Sequence, residues 1–221
     1  MASRMVHYVI AKQLLKQLDI KDSNAFLIGA IIPDSYCVDC NKVKSRSHFL
    51  SNYEIGRTYD YLTFYQKYLV NDQSSFALGY FLHLLMDCIN LKDIIANTVY
   101  TYPKSMRKEA IALLYEDMHV HNYLLKKRFD LHYDLKPLDT WEVAEVDIND
   151  QIAFLKLFEA DFNDEHVQPF HMLTSELLES YMNKCINLAS DILNKVMNHQ
   201  SFINIKAETP LLLSGGMNDV S

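Results

Sequence analysis

One apolar stretch constrains the fold more than any other part of the chain. Residues 76–91, FALGYFLHLLMDCINL, contain twelve apolar residues among sixteen. A helix that is apolar nearly all round is buried nearly all round, so the stretch predicts a central helix over about residues 75–95. Its four exceptions are spaced 4, 4 and 3 residues apart and share one face of the helix: Gly79, His83, Asp87 and Asn90. The small Gly79 is expected to leave open space beside this stripe.

The rest of the chain also predicts helices. It has only 5 Gly and 5 Pro, too few for the frequent turns of a sandwich or barrel. Apolar residues recur at helical spacing over about residues 3–18, 24–32, 54–70, 104–128, 150–162 and 172–199. Segments 34–48 and 129–149 predict connections, and the second has room for a short hairpin. We therefore predict an all-α, single-domain multi-helix bundle over residues 1–200, followed by a poorly ordered tail over residues 201–221.

The polar stripe of the central helix indicates either a buried hydrogen bond or a metal site. His83 and Asp87 lie one turn apart and point the same way. An ionised carboxylate is costly to bury unless it is paired or bound to a metal, and a metal site needs further ligands. Three residues before the helix could supply them, although each also fits an ordinary core or capping role: His7 on the inward side of the first helix, Asp34 after an apolar helix and a proline, and His48 where a polar loop becomes apolar.

The fifth predicted helix carries a second inward pair. Asp117 and His121 lie one turn apart on the same face as Ala110 and Leu114. Inward Asp and His on two helices are typical of a metal centre inside a bundle, and a buried ion pair is the alternative. Glu116 and His119 are expected on the solvent side. Four other histidines have no partner at a convincing spacing: His132, His166, His171 and His199.

Four segments, in this order, resemble the zinc-dependent phospholipase C family: SRMVHYVIA (3–11), GAIIPDS (29–35), SHF (47–49) and GYFLHLLMD (79–87). That family includes secreted bacterial phospholipases C and shares its fold with zinc-dependent single-strand nucleases. The resemblance covers roughly residues 3–125. Secreted relatives use a processed N-terminal amino group as a ligand, whereas this chain starts at Met1 without a signal peptide. A small intracellular bacterial-type member is therefore expected.

The resemblance implies a ligand set for a helical metal-binding domain. One zinc ion would be held by Asp34, His48, His83 and Asp87. Asp87 would bridge to a second ion that His7 also holds. Asp117 and His121 would take the place of a later His-x-x-x-Glu pair of the family, in reversed order. One to three ions are expected, and imidazole and carboxylate ligands also suit iron or manganese.

The function that the resemblance implies is a metal-dependent phosphoric-ester hydrolase. A metal-activated water would attack a phosphodiester or phosphomonoester, with Asp34 as the residue that orients or deprotonates it. The expected partner is a small phosphoester or a phospholipid head group. Basic residues near the proposed ligands could bind phosphate oxygens, although solvated surface charge is their ordinary role: Arg4, Lys42, Lys44 and Arg46.

Other classes are less compatible with the sequence. The formal charge of −7 disfavours a nucleic-acid partner, and the lack of a long apolar run disfavours a membrane span, so a cytoplasmic protein is predicted. A nucleotide phosphohydrolase of the HD type needs an adjacent His-Asp pair, and no histidine here precedes Asp. Cys37 and Cys40 form a lone Cys-x-x-Cys without a second pair. The main alternative is a non-catalytic helical metal-binding or interaction protein that keeps a remnant of the site.

Overall fold

The computed structural model describes residues 3–38, 44–53 and 56–205. These residues form eight α-helices: α1 (Arg4–Leu14), α2 (Ser23–Ile31), α3 (Lys44–Ser47), α4 (Tyr61–Tyr68), α5 (Ser75–Asn90), α6 (Arg107–Arg128), α7 (Gln151–Asp161) and α8 (Ser175–Met197). One antiparallel hairpin joins β1 (Leu50–Tyr53) to β2 (Gly56–Tyr59). Shorter 3₁₀ or π turns cover Ile32–Val38, Leu91–Ile95, Val99–Thr101, Lys104–Met106 and Ile148–Asp150. The all-α prediction is confirmed, and most of the predicted tail, residues 206–221, lies outside the described residues.

Helix α5 is the central helix, as predicted. Every residue from Phe76 to Asn90 is buried. Ser74 begins the helix, because its hydroxyl oxygen accepts a hydrogen bond from the Ala77 backbone N–H that the first turn leaves without a helical partner. α5 packs most extensively on α2 and also contacts α8, α4 and α1. None of the described helices is long and apolar enough to cross a membrane.

Two glycines allow α2 and α5 to pack with their backbones in contact. A Cβ on Gly79 would overlap the backbone carbonyl oxygen of Phe26, and a Cβ on Gly29 would overlap that of Phe76. The prediction of open space beside Gly79 is therefore wrong, since the backbone of α2 fills that space. The close approach fixes α2 against the polar stripe of α5.

Gly79→Ala is expected to lower the free energy of unfolding by about 1–3 kcal/mol, as overpacking of a core does. The obstacle is backbone, which cannot rotate away as a flexible side chain would. Helix propensity alone acts the other way, because Ala is more favourable than Gly inside a helix by about 1 kcal/mol. Urea unfolding followed by circular dichroism measures the sign, and a higher midpoint for the variant would contradict this packing.

The predicted helix over residues 54–70 is wrong in its first part. The described residues 56–59 pair in the hairpin, and α4 begins only at Tyr61. Asp60 separates the two structures, since its carboxylate accepts a hydrogen bond from the Thr63 backbone N–H and caps the helix. This segment is rich in tyrosine, which also favours strands. Composition alone therefore did not distinguish a helix from a strand here.

The connection over residues 129–149 contains no strand, so the hairpin considered there is wrong. Trp141 stacks on Phe76, with ring centroids 4.9 Å apart and planes 12° apart. The Gln151 side chain both accepts from and donates to the backbone of Leu138. These contacts attach an irregular segment to the bundle.

Candidate metal centre

Five of the seven predicted ligands meet inside the bundle. All five are buried: His7, Asp34, His48, His83 and Asp87. They come from α1, the 3₁₀ turn after α2, the residue that follows α3, and α5. Only the tertiary structure brings these four parts of the chain together.

Local structure directs His7 and Asp34 inward. α1 begins at Ser3, whose hydroxyl accepts from the Val6 backbone N–H, and the helix buries the face that carries His7. After α2 the chain does not become a loop, as the sequence predicted, but continues as a 3₁₀ turn that includes Pro33. That turn keeps Asp34 buried against the end of the bundle.

His48 lies where α3 passes into β1. The Tyr80 hydroxyl donates to the Ser47 backbone carbonyl and holds this corner on α5. The next residue, Phe49, has a φ of 48°, in the left-handed region that is strained for a bulky side chain. Its ring packs edge-on against Phe64, with centroids 5.3 Å apart. This ring contact stabilises the turn at Phe49, and that turn sets the direction in which the neighbouring His48 side chain points.

Asp34, His48 and His83 form the first group of donor atoms. Nε2 of His48 lies 3.2 Å from Nε2 of His83 and 3.2 Å from Oδ1 of Asp34. Ligands of one tetrahedral zinc ion, with bonds of about 2.0–2.1 Å, lie about 3.3 Å from one another. Nε2 of His48 therefore lies at the spacing of a neighbouring ligand from both other atoms, and all three atoms lie within 4.8 Å of one another.

Hydrogen bonds on the far side of the two rings set their tautomers. Nδ1 of His83 lies 2.9 Å from the Ala30 carbonyl oxygen, which can only accept, so Nδ1 carries the proton. The Ser47 hydroxyl can donate to the Lys44 carbonyl, which leaves its oxygen to accept from Nδ1 of His48 at 3.0 Å. Nε2 of His83 is then unprotonated in the neutral ring, and Nε2 of His48 is unprotonated too when its Nδ1 carries the proton. In that tautomer two lone pairs face each other at 3.2 Å, and a cation between them would remove their repulsion.

His7 and Asp87 form the second group. The His7 ring stacks on His83 with centroids 4.1 Å apart, and its Nε2 lies 3.5 Å from Oδ1 of Asp87. The other oxygen of Asp87 lies 3.7 Å from Nε2 of His48, so this carboxylate reaches both groups. Both ring nitrogens of His7, both oxygens of Asp87 and Oδ1 of Asp34 are buried without a hydrogen bond of good geometry. Buried polar atoms normally have partners, so the donor set fits a bound metal.

Burial favours the protonation states that bind metal. It lowers the pKa of His83 to about 3, and it also lowers the pKa of His48, so both imidazoles are neutral near pH 7. Burial by itself raises the pKa of Asp87. Contacts with His7 and Lys44 lower this pKa by a larger amount, so the net pKa lies well below the usual value. The carboxylate is therefore ionised, and metal ligands must be deprotonated in this way.

Lys44 adds a cation at the edge of the centre. Its Nζ lies 3.9 Å from Oδ2 of Asp87 and donates to the Tyr59 hydroxyl at 3.3 Å. The side chain is 18% exposed, so it can contact a molecule that enters from solvent. Of the basic residues named from the sequence, this one lies directly against a clustered carboxylate.

The other basic residues named from the sequence are paired with other protein groups or lie outside the described residues. Arg4 pairs with Asp161 at 2.9 Å, and Arg46 donates to a backbone carbonyl of the connection over residues 129–149. Lys42 and Cys40 lie outside the described residues. The Cys-x-x-Cys motif, which includes Cys40, therefore cannot be compared with its prediction.

A cleft of about 250 Å³ opens above Asp34, which is the one clustered side chain that lines it. The cleft is also lined by three residues of α6 that the sequence reasoning missed: Tyr115, Met118 and Asn122. Their i, i+3, i+7 spacing in the sequence places them on one face of α6. The neighbouring face that carries Asp117 has the same periodicity, so the spacing alone did not show which face lines the cleft. Burial, and next the charge of Asp34, raise the pKa of Tyr115, so its phenol is neutral and can donate a hydrogen bond into the cleft.

Asp117 and His121 face inward, as predicted, but the structure does not bring them to the other five. The Asp117 carboxylate accepts three backbone N–H groups, each at 2.7–2.8 Å, from residues 171–173. Nε2 of His121 lies 2.8 Å from the Leu173 carbonyl, and its ring stacks on Phe170. The prediction of ligands in place of the family's later pair is corrected here: the two side chains anchor the segment before α8, where both oxygens of Asp117 and Nε2 of His121 already have hydrogen-bond partners.

Asp117→Asn is expected to lower the free energy of unfolding by about 1–3 kcal/mol while leaving the metal content unchanged. The amide group of Asn can accept with only one of its two ends, so at least one buried backbone N–H loses its partner. Thermal unfolding and elemental analysis of the purified variant check both parts. Loss of metal with little change in stability would instead return Asp117 to the metal centre.

Part of the chain matches a known protein family. Residues 6–89 match the family model described as zinc dependent phospholipase C, and this segment contains all five clustered side chains. No curated protein and no solved structure matches the chain. The segment that supplies the five clustered side chains is therefore similar to the zinc-dependent phospholipase C family.

Proposed function

We propose that this protein is a metal-dependent phosphoric-ester hydrolase that uses zinc. The observation that carries the proposal is the close approach of Nε2 of His48 to Nε2 of His83, 3.2 Å apart, beside the buried Asp34 carboxylate. Neutral imidazole and ionised carboxylate are zinc ligands, and the matched family is described by its zinc-dependent activity.

The donor atoms favour two ions. His83 has one nitrogen available, because its Nδ1 contacts the Ala30 carbonyl, so it would hold one ion with His48 and Asp34. His7 would offer a nitrogen to a second ion, and Asp87 would supply an oxygen to each. The first ion would have four protein ligands and the second would have two, so the open positions for water and substrate that catalytic sites require would lie mainly at the second ion.

The proposed reaction is attack of water on the phosphorus of a phosphomonoester or phosphodiester. Bound metal ions would supply Lewis acidity, lowering the pKa of water and offsetting charge on the phosphate. Asp34 orients the attacking water and accepts its proton, because it belongs to the cluster and also lines the cleft. Lys44 holds a phosphate oxygen as a charged donor, and the Tyr115 phenol donates to the leaving group.

The substrate enters through the cleft above Asp34. Its volume of about 250 Å³ accommodates a phosphate and a small substituent, such as a phospholipid head group or a small phosphodiester. The net charge of −7 disfavours a nucleic-acid substrate.

The test is hydrolysis of a panel by the metal-loaded protein: p-nitrophenyl phosphate, bis-p-nitrophenyl phosphate and short-chain phosphatidylcholine. We expect turnover of at least one substrate, its loss on chelation, and its return with zinc; iron and manganese are tested in parallel. Lys44→Gln should retain the metal and lose about tenfold or more in kcat/KM. Full metal loading without turnover of any substrate would leave the non-catalytic metal-binding protein as the better description.

A further inference from the structure

A second group of metal-binding side chains lies on the surface. His119 projects from the outward face of α6, while Asp164 and His166 lie in the segment between α7 and α8. Nδ1 of His119 lies 2.6 Å from Oδ2 of Asp164, and Nδ1 of His166 lies 2.6 Å from its Oδ1. The sequence analysis found no partner for His166, and the fold supplies two.

Two imidazoles on one carboxylate make this group different from the other exposed histidine contacts that the structure describes. His132 faces only Asp130, at 3.4 Å, and His171 faces only Glu116, at 2.9 Å. At Asp164 the two rings are 5.3 Å apart and tilted by 36°, so both approach from one side. Three residues thus present donor atoms of the type that zinc prefers.

We propose that His119, Asp164 and His166 form a second metal site, open to solvent, that binds a divalent transition-metal ion such as zinc. One donor atom from each residue can be chosen so that all three lie within 4.8 Å of one another. A zinc ion with bonds of about 2.0–2.1 Å needs ligands about 3.3 Å apart. The two histidine side chains are about half exposed, so they can move outward by the small distance that the ion requires.

Among the described residues, Asp164 forms ion pairs with His119 and His166 alone. Asp161, the last residue of α7, is paired with Arg4 at 2.9 Å. With three protein ligands the remaining coordination positions belong to water or a solute.

The surface site is separate from the buried centre but shares its cleft, because His119 and Asp34 line the same opening. The buried centre uses residues that this site does not touch. The proposal therefore does not rest on the proposed hydrolase activity, and the two can fail independently.

The test is zinc binding to the full chain, measured by equilibrium dialysis against a competing chelator of known affinity. Wild type should bind one equivalent of zinc more than either His119→Ala or His166→Ala. If a variant still binds that equivalent, wild type should bind it at least about tenfold more tightly. His132→Ala is the matched control, because His132 is 80% exposed and lies outside the group. The control should match wild type.

The proposal is overturned if His119→Ala and His166→Ala bind the same number of zinc equivalents as wild type with the same affinities. Asp87→Asn separates the two sites, since it should lose zinc from the buried centre and keep the surface equivalent. Loss of the surface equivalent in His132→Ala as well would show adventitious binding to exposed histidines, and would also overturn the proposal.

Discussion

Asp87→Asn is expected to abolish hydrolysis and to lower the affinity of the buried centre for zinc by more than about 100-fold. Substitutions that only support a ligand already cost about 10–100-fold, and Asp87 has an oxygen directed at each of the two donor groups. Asn keeps the shape of the side chain but not its charge, so the helix should remain folded. Zinc content by elemental analysis, together with circular dichroism, measures both effects.

Asp93→Asn is the matched control for this substitution. Asp93 lies just beyond α5 and forms an ion pair with Lys184 at 3.0 Å, which is of the partly exposed kind that contributes at most about 1 kcal/mol. The control should keep its zinc and its activity. If Asp87→Asn retained full zinc at the buried centre, the assignment of Asp87 as a bridging ligand would be wrong.

Removal of metal from wild type is expected to lower the melting temperature by about 10 °C. A ligand present at about 1,000 times its dissociation constant stabilises the folded state by about 4 kcal/mol, and each kcal/mol corresponds to roughly 2–4 °C for a chain of this length. Without metal, buried oxygen atoms of Asp34 and Asp87 are left without a hydrogen bond of good geometry, and burying unpartnered polar atoms opposes folding. Differential scanning calorimetry before and after chelation gives the shift.

The Asp87→Asn variant provides the control for chelation, since its buried centre should already lack metal. Chelator should change its melting temperature by much less than that of wild type. An unchanged melting temperature in wild type, after elemental analysis has verified metal removal, would favour a scaffold whose stability does not depend on the centre.

The sequence determined the central helix and the residues of its polar stripe. The run over residues 76–91 is apolar on every side, so any fold that exposed it would be costly, and a period of 3.6 residues places His83 and Asp87 on one face wherever the helix packs. The same local reasoning placed His7 on the buried face of α1. Residue types and their order were sufficient to indicate a resemblance to the matched family, because ligand chemistry restricts which side chains can bind a metal.

Only the tertiary structure decided which inward side chains meet. Helical periodicity showed that Asp117 faces the interior, but it could not show that the carboxylate binds the backbone of residues 171–173 instead of joining His83. Likewise, Gly79 is ambiguous in sequence: whether a missing Cβ leaves a cavity or admits another backbone depends on the partner helix. His119, Asp164 and His166 come from two separate segments with no shared period, so no local pattern could bring them together. The periodicity of a sequence shows in which direction a side chain points from the axis of its own helix. Which side chains touch depends on how separate helices and loops pack together.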